Sequence, residues 1–169
     1  MHFISETTVD GVTERSFTLG DVPGVLWTPA DATGARPLIL LGHGGGQHKK
    51  GPGMVARAHR YVTTCGFAVA AIDAPGHGDR PRTEQDERLT AELRERIAAG
   101  EPVGSHVARY NAALATRAVP EWQFVLDALQ KLDHVGAGGP VGTGAWRWAA
   151  RSAYLSLPPN RGSAPRSSA

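Results

Sequence analysis

The chain is short of cysteine, of long apolar runs and, toward its end, of acid. Its one cysteine, Cys65, excludes an internal disulfide and fits a reducing compartment. The position of Cys65 in a helical pattern predicts a small buried side chain. No apolar run approaches the roughly 18 residues of a membrane span, so no membrane partner is expected. The start, Met1-His2-Phe3-Ile4-Ser5-Glu6, has neither a basic segment nor an apolar targeting region, and the cytoplasm is the expected compartment. Residues 141–169 hold Arg147, Arg151, Arg161 and Arg166 and no Asp or Glu, so the formal net charge of +2 and the pI near 9.0 come from one end. Four spaced arginines without a lysine cluster make a poor nucleic-acid surface, and no nucleic-acid partner is expected. A length of 169 residues allows one domain with a real core and is too short for two of ordinary size.

What is present alternates between strand and helix patterns. Residues Val12–Leu19 and Gly24–Thr28, separated by the turn Gly20-Asp21-Val22-Pro23, predict an antiparallel hairpin. Pro37–Leu41 is a continuous apolar run, the form a strand takes when both faces of a sheet are covered. Met54, Val55, Ala58, Tyr61, Val62 and Cys65 then fall on one helical face closed by Gly66, and Phe67–Ile72 reads as a second buried strand. A helix from about Glu84 to Ala99 carries the stripe Leu89, Leu93 and Ile97, and another covers His106–Arg117. Pro120 is suited to the first turn of a further helix whose Val119, Trp122, Val125, Leu126, Leu129 and Leu132 face the core. Asp133–Gly142 leads into one more strand, and the alternation predicts an α/β fold. The Ser-, Arg-, Pro- and Ala-rich text of about the last 25 residues predicts disorder.

Two loops carry chemistry. One is Gly42-His43-Gly44-Gly45-Gly46 after the first apolar run; the other is Asp73-Ala74-Pro75-Gly76-His77-Gly78-Asp79 after the second. Glycine permits a sharp turn and leaves room for a negatively charged oxygen to reach backbone N–H groups. A dinucleotide fingerprint would need a third glycine where Gln47 stands, and a phosphate loop would need Gly-Lys-Ser/Thr where the chain has His48-Lys49-Lys50-Gly51. His43, His48, Asp73, His77 and Asp79 lack a recognised metal spacing, so no metal or cofactor is expected, although metal-dependent hydrolysis stays open as an alternative. A plain glycine turn is the simplest other reading of the first loop.

In order and spacing the two loops resemble those of the α/β-hydrolase superfamily, nearest its dienelactone-hydrolase-like and esterase-like members, over about residues 12–142. The resemblance implies an incomplete α/β-hydrolase fold: a mostly parallel sheet with flanking helices, opened by the N-terminal hairpin. It also implies an ester, lactone or similar small acyl substrate. Gly44 and Gly45 are the implied oxyanion-hole residues, with His43 supporting their loop. Asp73 and His77 are implied to shape the strand end, since the family's acid and histidine follow its nucleophile.

The resemblance requires a Gly-x-Ser-x-Gly elbow soon after Gly142, and the text there is Thr143-Gly144-Ala145-Trp146-Arg147-Trp148-Ala149-Ala150-Arg151. Read one base earlier, the codons of Thr143 through Ser152 allow Tyr-Trp-Gly-Leu-x-Met-Gly-x-Ala-Ile-Gly, an elbow-like text. Trp146-Arg147-Trp148 admits only Ala or Glu at the central x, so this shift does not supply the serine. The expectation is therefore a hydrolase-like region over 1–142 and an aberrant, frameshifted or truncated tail over 143–169. This chain would then be inactive as an enzyme, and a non-catalytic fragment or binding module is the alternative. An incomplete sheet also predicts self-association through an uncovered edge at the strand after Gly34.

Overall fold

A computed structural model describes residues 1–136 and 139–145. It contains strands β1 (His2–Val9), β2 (Val12–Leu19), β3 (Val22–Pro29), β4 (Leu38–Gly42), β5 (Ala68–Ile72) and β6 (Val141–Ala145). Its helices are α1 (Pro52–Cys65), α2 (Glu84–Ala98) and α3 (Gly104–Leu129). The six strands form one sheet in the order β1-β2-β3-β5-β4-β6. The first three strands and the β3–β5 pair are antiparallel, while β5, β4 and β6 run parallel. The sheet is thus mixed, and its antiparallel part is one strand larger than the expected hairpin. The missed signal is Asp10-Gly11, which connects Val9 to Val12 with φ of 50° and 76°, values that suit a two-residue hairpin turn.

Alternation along the strands divides the core between the two faces of the sheet. Phe17, Leu26, Leu38, Leu40, Ala70 and Ile72 meet Val125 and Leu129 of α3 on one face. On the other, Val25, Trp27, Leu41, Val69 and Ala71 meet Met54, Ala58 and Val62 of α1. Helix α1 begins with Pro52 in its first turn and ends at Gly66, whose φ of 66° lets its N–H reach back to Val62. Cys65 is exposed, contrary to expectation, because the buried face of α1 ends at Val62 and the last turn faces solvent.

Two other expectations change. The break at Pro120 is absent: α3 is continuous from Gly104 to Leu129 with the proline inside it. An interior proline costs a helix about 3 kcal/mol, but ion pairs hold both sides of it. Arg117 binds Asp86 of α2, and Glu121 receives two hydrogen bonds from Arg80, at 2.6 and 2.8 Å. The stripe on α2 gives the narrow buried edge of a surface helix: Leu89 is buried, Leu93 half-buried and Ile97 61% exposed, with α2 packed on α3. The strand after Gly34 is not an edge. As β4 it lies between β5 and β6, so among the described residues the edges fall at β1 and at β6, the latter including Thr143 and Gly144 beyond the expected boundary. The expected disorder of the tail concerns residues that lie mostly outside those described.

Candidate active site

Parallel strands position the two loops. The chain leaves β4 for β5 on one side, and β6 enters on the other, with Ala145 opposite Gly42. Such a reversal opens a crevice beyond the carboxyl ends of the strands, the usual place for a ligand in an open α/β sheet. Residues 43–46 follow β4 and residues 73–79 follow β5, so both loops stand at this crevice.

A cleft of about 1000 Å³ lies there. His43, Gly44, Gly45, Gly46 and His77 form its floor with Gly53 and Met54 from α1. Leu89, Thr90, Leu93 and Arg94 of α2 and Val107 and Tyr110 of α3 form the opposite wall, with Arg82 just ahead of α2. This size suits a small organic ligand.

His43 is buried and fixed at both ring nitrogens. The Ala74 N–H donates to Nε2 at 3.0 Å, so Nε2 is an acceptor and the proton belongs on Nδ1, which donates to the Gly44 carbonyl at 2.9 Å. Burial holds His43 below the ordinary histidine value, against the upward pull of the Gly44 bond, and His77 adds to the depression. A neutral imidazole that ties the first loop to the second is the result. His77 donates from Nδ1 to the Pro75 carbonyl at 3.0 Å, and its ring centroid is 5.4 Å from that of His43.

The first loop folds so that the Gly44 carbonyl also accepts from Gln47 N–H at 3.1 Å. Among the described residues the N–H groups of Gly44 and Gly45 have no intramolecular acceptor. Neither residue has a positive φ, and a Cβ added to either would meet nothing within 4 Å. Local conformation and packing therefore do not call for glycine at 44 and 45. Only Gly46, at φ 73°, has a conformational reason.

Asp73 is the buried tie between the loops. Its carboxylate accepts from Lys49 N–H at 2.7 Å, Lys49 Nζ at 2.7 Å and Asp79 N–H at 3.0 Å. Burial pushes the Asp73 pKa up, but the Lys49 bonds and the Asp79 N–H outweigh it and the net shift is downward. Burial likewise depresses Lys49, and its bonds to Asp73 and Asp79 raise it overall. Gly78 is required here: its φ is 56°, and a Cβ would fall 2.2 Å from Asp73 Oδ2. The burial of Lys49 is not legible in the sequence, because a lysine after a glycine loop carries no sign of it; the available hint is Asp73, an acid directly after a buried strand.

Gly44, Gly45, His43 and His77 are thus brought together, while His48 is not on the cleft wall and Asp73 is occupied by Lys49. Among the described residues no group of three His, Cys, Asp or Glu side chains is placed to hold a metal ion. The residues where an elbow would stand, from Trp146 on, lie outside those described. No helix among the described residues is long and apolar enough to cross a membrane.

Comparison with solved structures agrees with this architecture. An esterase from an Arctic intertidal metagenomic library, described as cold-adapted, is 29% identical with a TM-score of 0.58, covering 86% of this chain and 55% of its own. A putative acetyl xylan esterase from Bacteroides fragilis is 16% identical with a TM-score of 0.55, over 85% of this chain and 41% of its own. Est1E from Butyrivibrio proteoclasticus, solved with bound ferulic acid, is 16% identical with a TM-score of 0.53, over 90% and 46%. No protein-family model matches the sequence, and no curated protein matches it. The chain has a partial α/β-hydrolase fold, and it spans about half the length of the esterase structures it resembles.

Proposed function

We propose that the chain is part of an α/β hydrolase acting on an ester, lactone or similar acyl substrate, with Gly44 and Gly45 as oxyanion donors and His43 as the brace of their loop. The observation that carries this reading is the pair of N–H groups with no acceptor among the described residues, on glycines that local structure does not require and that line a cleft at the end of β4. Attack on an acyl carbon places negative charge on one oxygen, and each preorganised donor to that oxygen is worth about 3 kcal/mol in the transition state. The His43 ring, held in place by the Ala74 N–H, binds the Gly44 carbonyl and so keeps the Gly44–Gly45 peptide, and with it the Gly45 N–H, from turning. The 29% identity to an esterase over most of the chain supports an ester as substrate.

Ethyl methylphosphonate, a stable anion shaped like the tetrahedral intermediate, tests the donors. In amide NMR spectra the Gly44 and Gly45 signals should move downfield and saturate as it is added. Unmoved signals at saturating probe would overturn the assignment. A fluorophosphonate should leave the chain unlabelled, as no Gly-x-Ser-x-Gly is present. Labelling at a serine would instead show a nucleophile outside that pattern.

A further inference from the structure

The cleft wall formed by α2 and α3 has an unbalanced charge. Arg82 and Arg94 both line it, and no Asp or Glu does. The arginines around them are paired: Arg80 with Glu121, Arg96 with Glu101, Arg109 with Glu92 and Arg117 with Asp86. Arg82 and Arg94 have no such partner among the described residues, and Arg88, also unpaired, does not line the cleft. The residues outside the described set cannot neutralise them with a side chain, since no Asp or Glu follows Asp133 in the sequence.

The Arg82 side chain is also directed. Its Nε donates to the Gly76 carbonyl at 3.4 Å, beside His77, so the guanidinium is anchored to the second loop while its two terminal nitrogens have no partner among the described residues. Tyr110, on the same wall, has a hydroxyl with no hydrogen-bond partner among the described residues; burial and the Asp86 carboxylate push its pKa up, against the nearby Arg117 and Arg82, so it stays a neutral donor. Leu89, Leu93 and Val107 supply apolar surface on this wall. An uncharged ester would make no use of the free terminal nitrogens of Arg82. A ligand carrying an anionic group would receive charge-assisted, two-pronged hydrogen bonds.

We infer that the cleft takes an acyl ester bearing a carboxylate at the end away from the scissile bond, the carboxylate lying against Arg82 with Tyr110 as a further donor and Arg94 adding positive charge to the same wall. This inference rests on the proposed hydrolase reading, in which the ester carbonyl is held at Gly44 and Gly45. The half-ester of a short dicarboxylic acid is the simplest such molecule.

The test compares monoethyl glutarate with ethyl 5-oxohexanoate, in which a methyl ketone replaces the carboxylate at the same position. Binding is followed by the amide signals of Gly44 and Gly45 in the full chain and in the double variant R82Q/R94Q. Both arginines are exposed, so the variant should retain its fold, which circular dichroism checks. The expected result is a preference for the half-ester of about tenfold, close to one charge-assisted hydrogen bond at a partly solvated site. The preference should shrink in 0.5 M NaCl and vanish in R82Q/R94Q, while the neutral ester binds both proteins alike. Equal binding of the two esters to the unaltered chain, or a preference that survives the double substitution, would overturn the carboxylate site and leave the hydrolase reading intact. Failure of both esters to move the Gly44 and Gly45 signals would overturn the hydrolase reading and this inference with it.

Discussion

Replacing Asp73 with Asn tests whether the tie between the two loops holds the site together. The carboxylate accepts three hydrogen bonds, from Lys49 N–H, Lys49 Nζ and Asp79 N–H, and its side chain is fully buried. An amide can keep an acceptor toward Lys49 N–H, but its NH₂ then faces the Lys49 ammonium and the Asp79 N–H, so two bonds are lost. Lys49 keeps Asp79 at 2.5 Å, yet that carboxylate is 77% exposed and offers screened compensation for a nearly buried ammonium. Hydrogen bonds to charged groups contribute about 1.5–3 kcal/mol each, and breaking a buried pair from one side costs about 3–5 kcal/mol. With Asp79 still in place, a loss near the lower end, about 3 kcal/mol, is expected. For a chain of this size that corresponds to a fall in Tm of roughly 9 °C. Urea and thermal unfolding measure it, with Asp79→Asn as the control, expected to cost at most about 1 kcal/mol. Amide exchange at Gly44 and Gly45 should also quicken in Asp73→Asn, because the tie fixes residue 49 just beyond the glycines. A cost below about 1 kcal/mol, or equal costs for the two variants, would refute the argument that the buried carboxylate organises the loops.

Acid should weaken the chain through Asp86. Burial pushes this carboxyl up, but its bonds from Arg117 and Thr83 hold it at about 2, against 3.8 ordinarily. A depressed folded value gives stability that is present above about pH 4 and lost as pH falls through about 2. The loss is about 2 kcal/mol, and Asp86→Asn should flatten that limb of a stability–pH curve; an unchanged limb would refute the assignment. Gly24→Ala should destabilise by about 2 kcal/mol, since its Cβ would lie 2.1 Å from Cζ of the fully buried Phe17. Chemical denaturation decides this, and a neutral result would mean that β2 and β3 separate easily.

Much of the fold is legible in the sequence because its signals are local. Apolar runs at 38–41 and 68–72 give the buried strands, the spacing of Met54, Ala58 and Val62 gives the face of α1, and Gly66 gives its end. The pair of glycine loops likewise resembles those of α/β hydrolases in order and spacing, and it is this resemblance that implies the fold. Strand β1 was open to the same reasoning through Asp10-Gly11, but all eight of its residues are exposed, so no apolar stripe announces it. Continuity of α3 through Pro120 was not legible, because the partners that hold it, Arg80 and Asp86, lie 41 and 31 residues from Glu121 and Arg117.

The sequence by itself determined the strand and helix alternation, the two loops and the absence of a Gly-x-Ser-x-Gly text, all properties of neighbouring residues. Only the tertiary structure decided that Lys49 is buried against Asp73, that His43 is a neutral link between the loops and that two arginines line the cleft with no acid partner among the described residues. Burial and charge pairing arise when residues tens of positions apart are brought within about 3 Å, and no local pattern in the chain specifies which charges will meet.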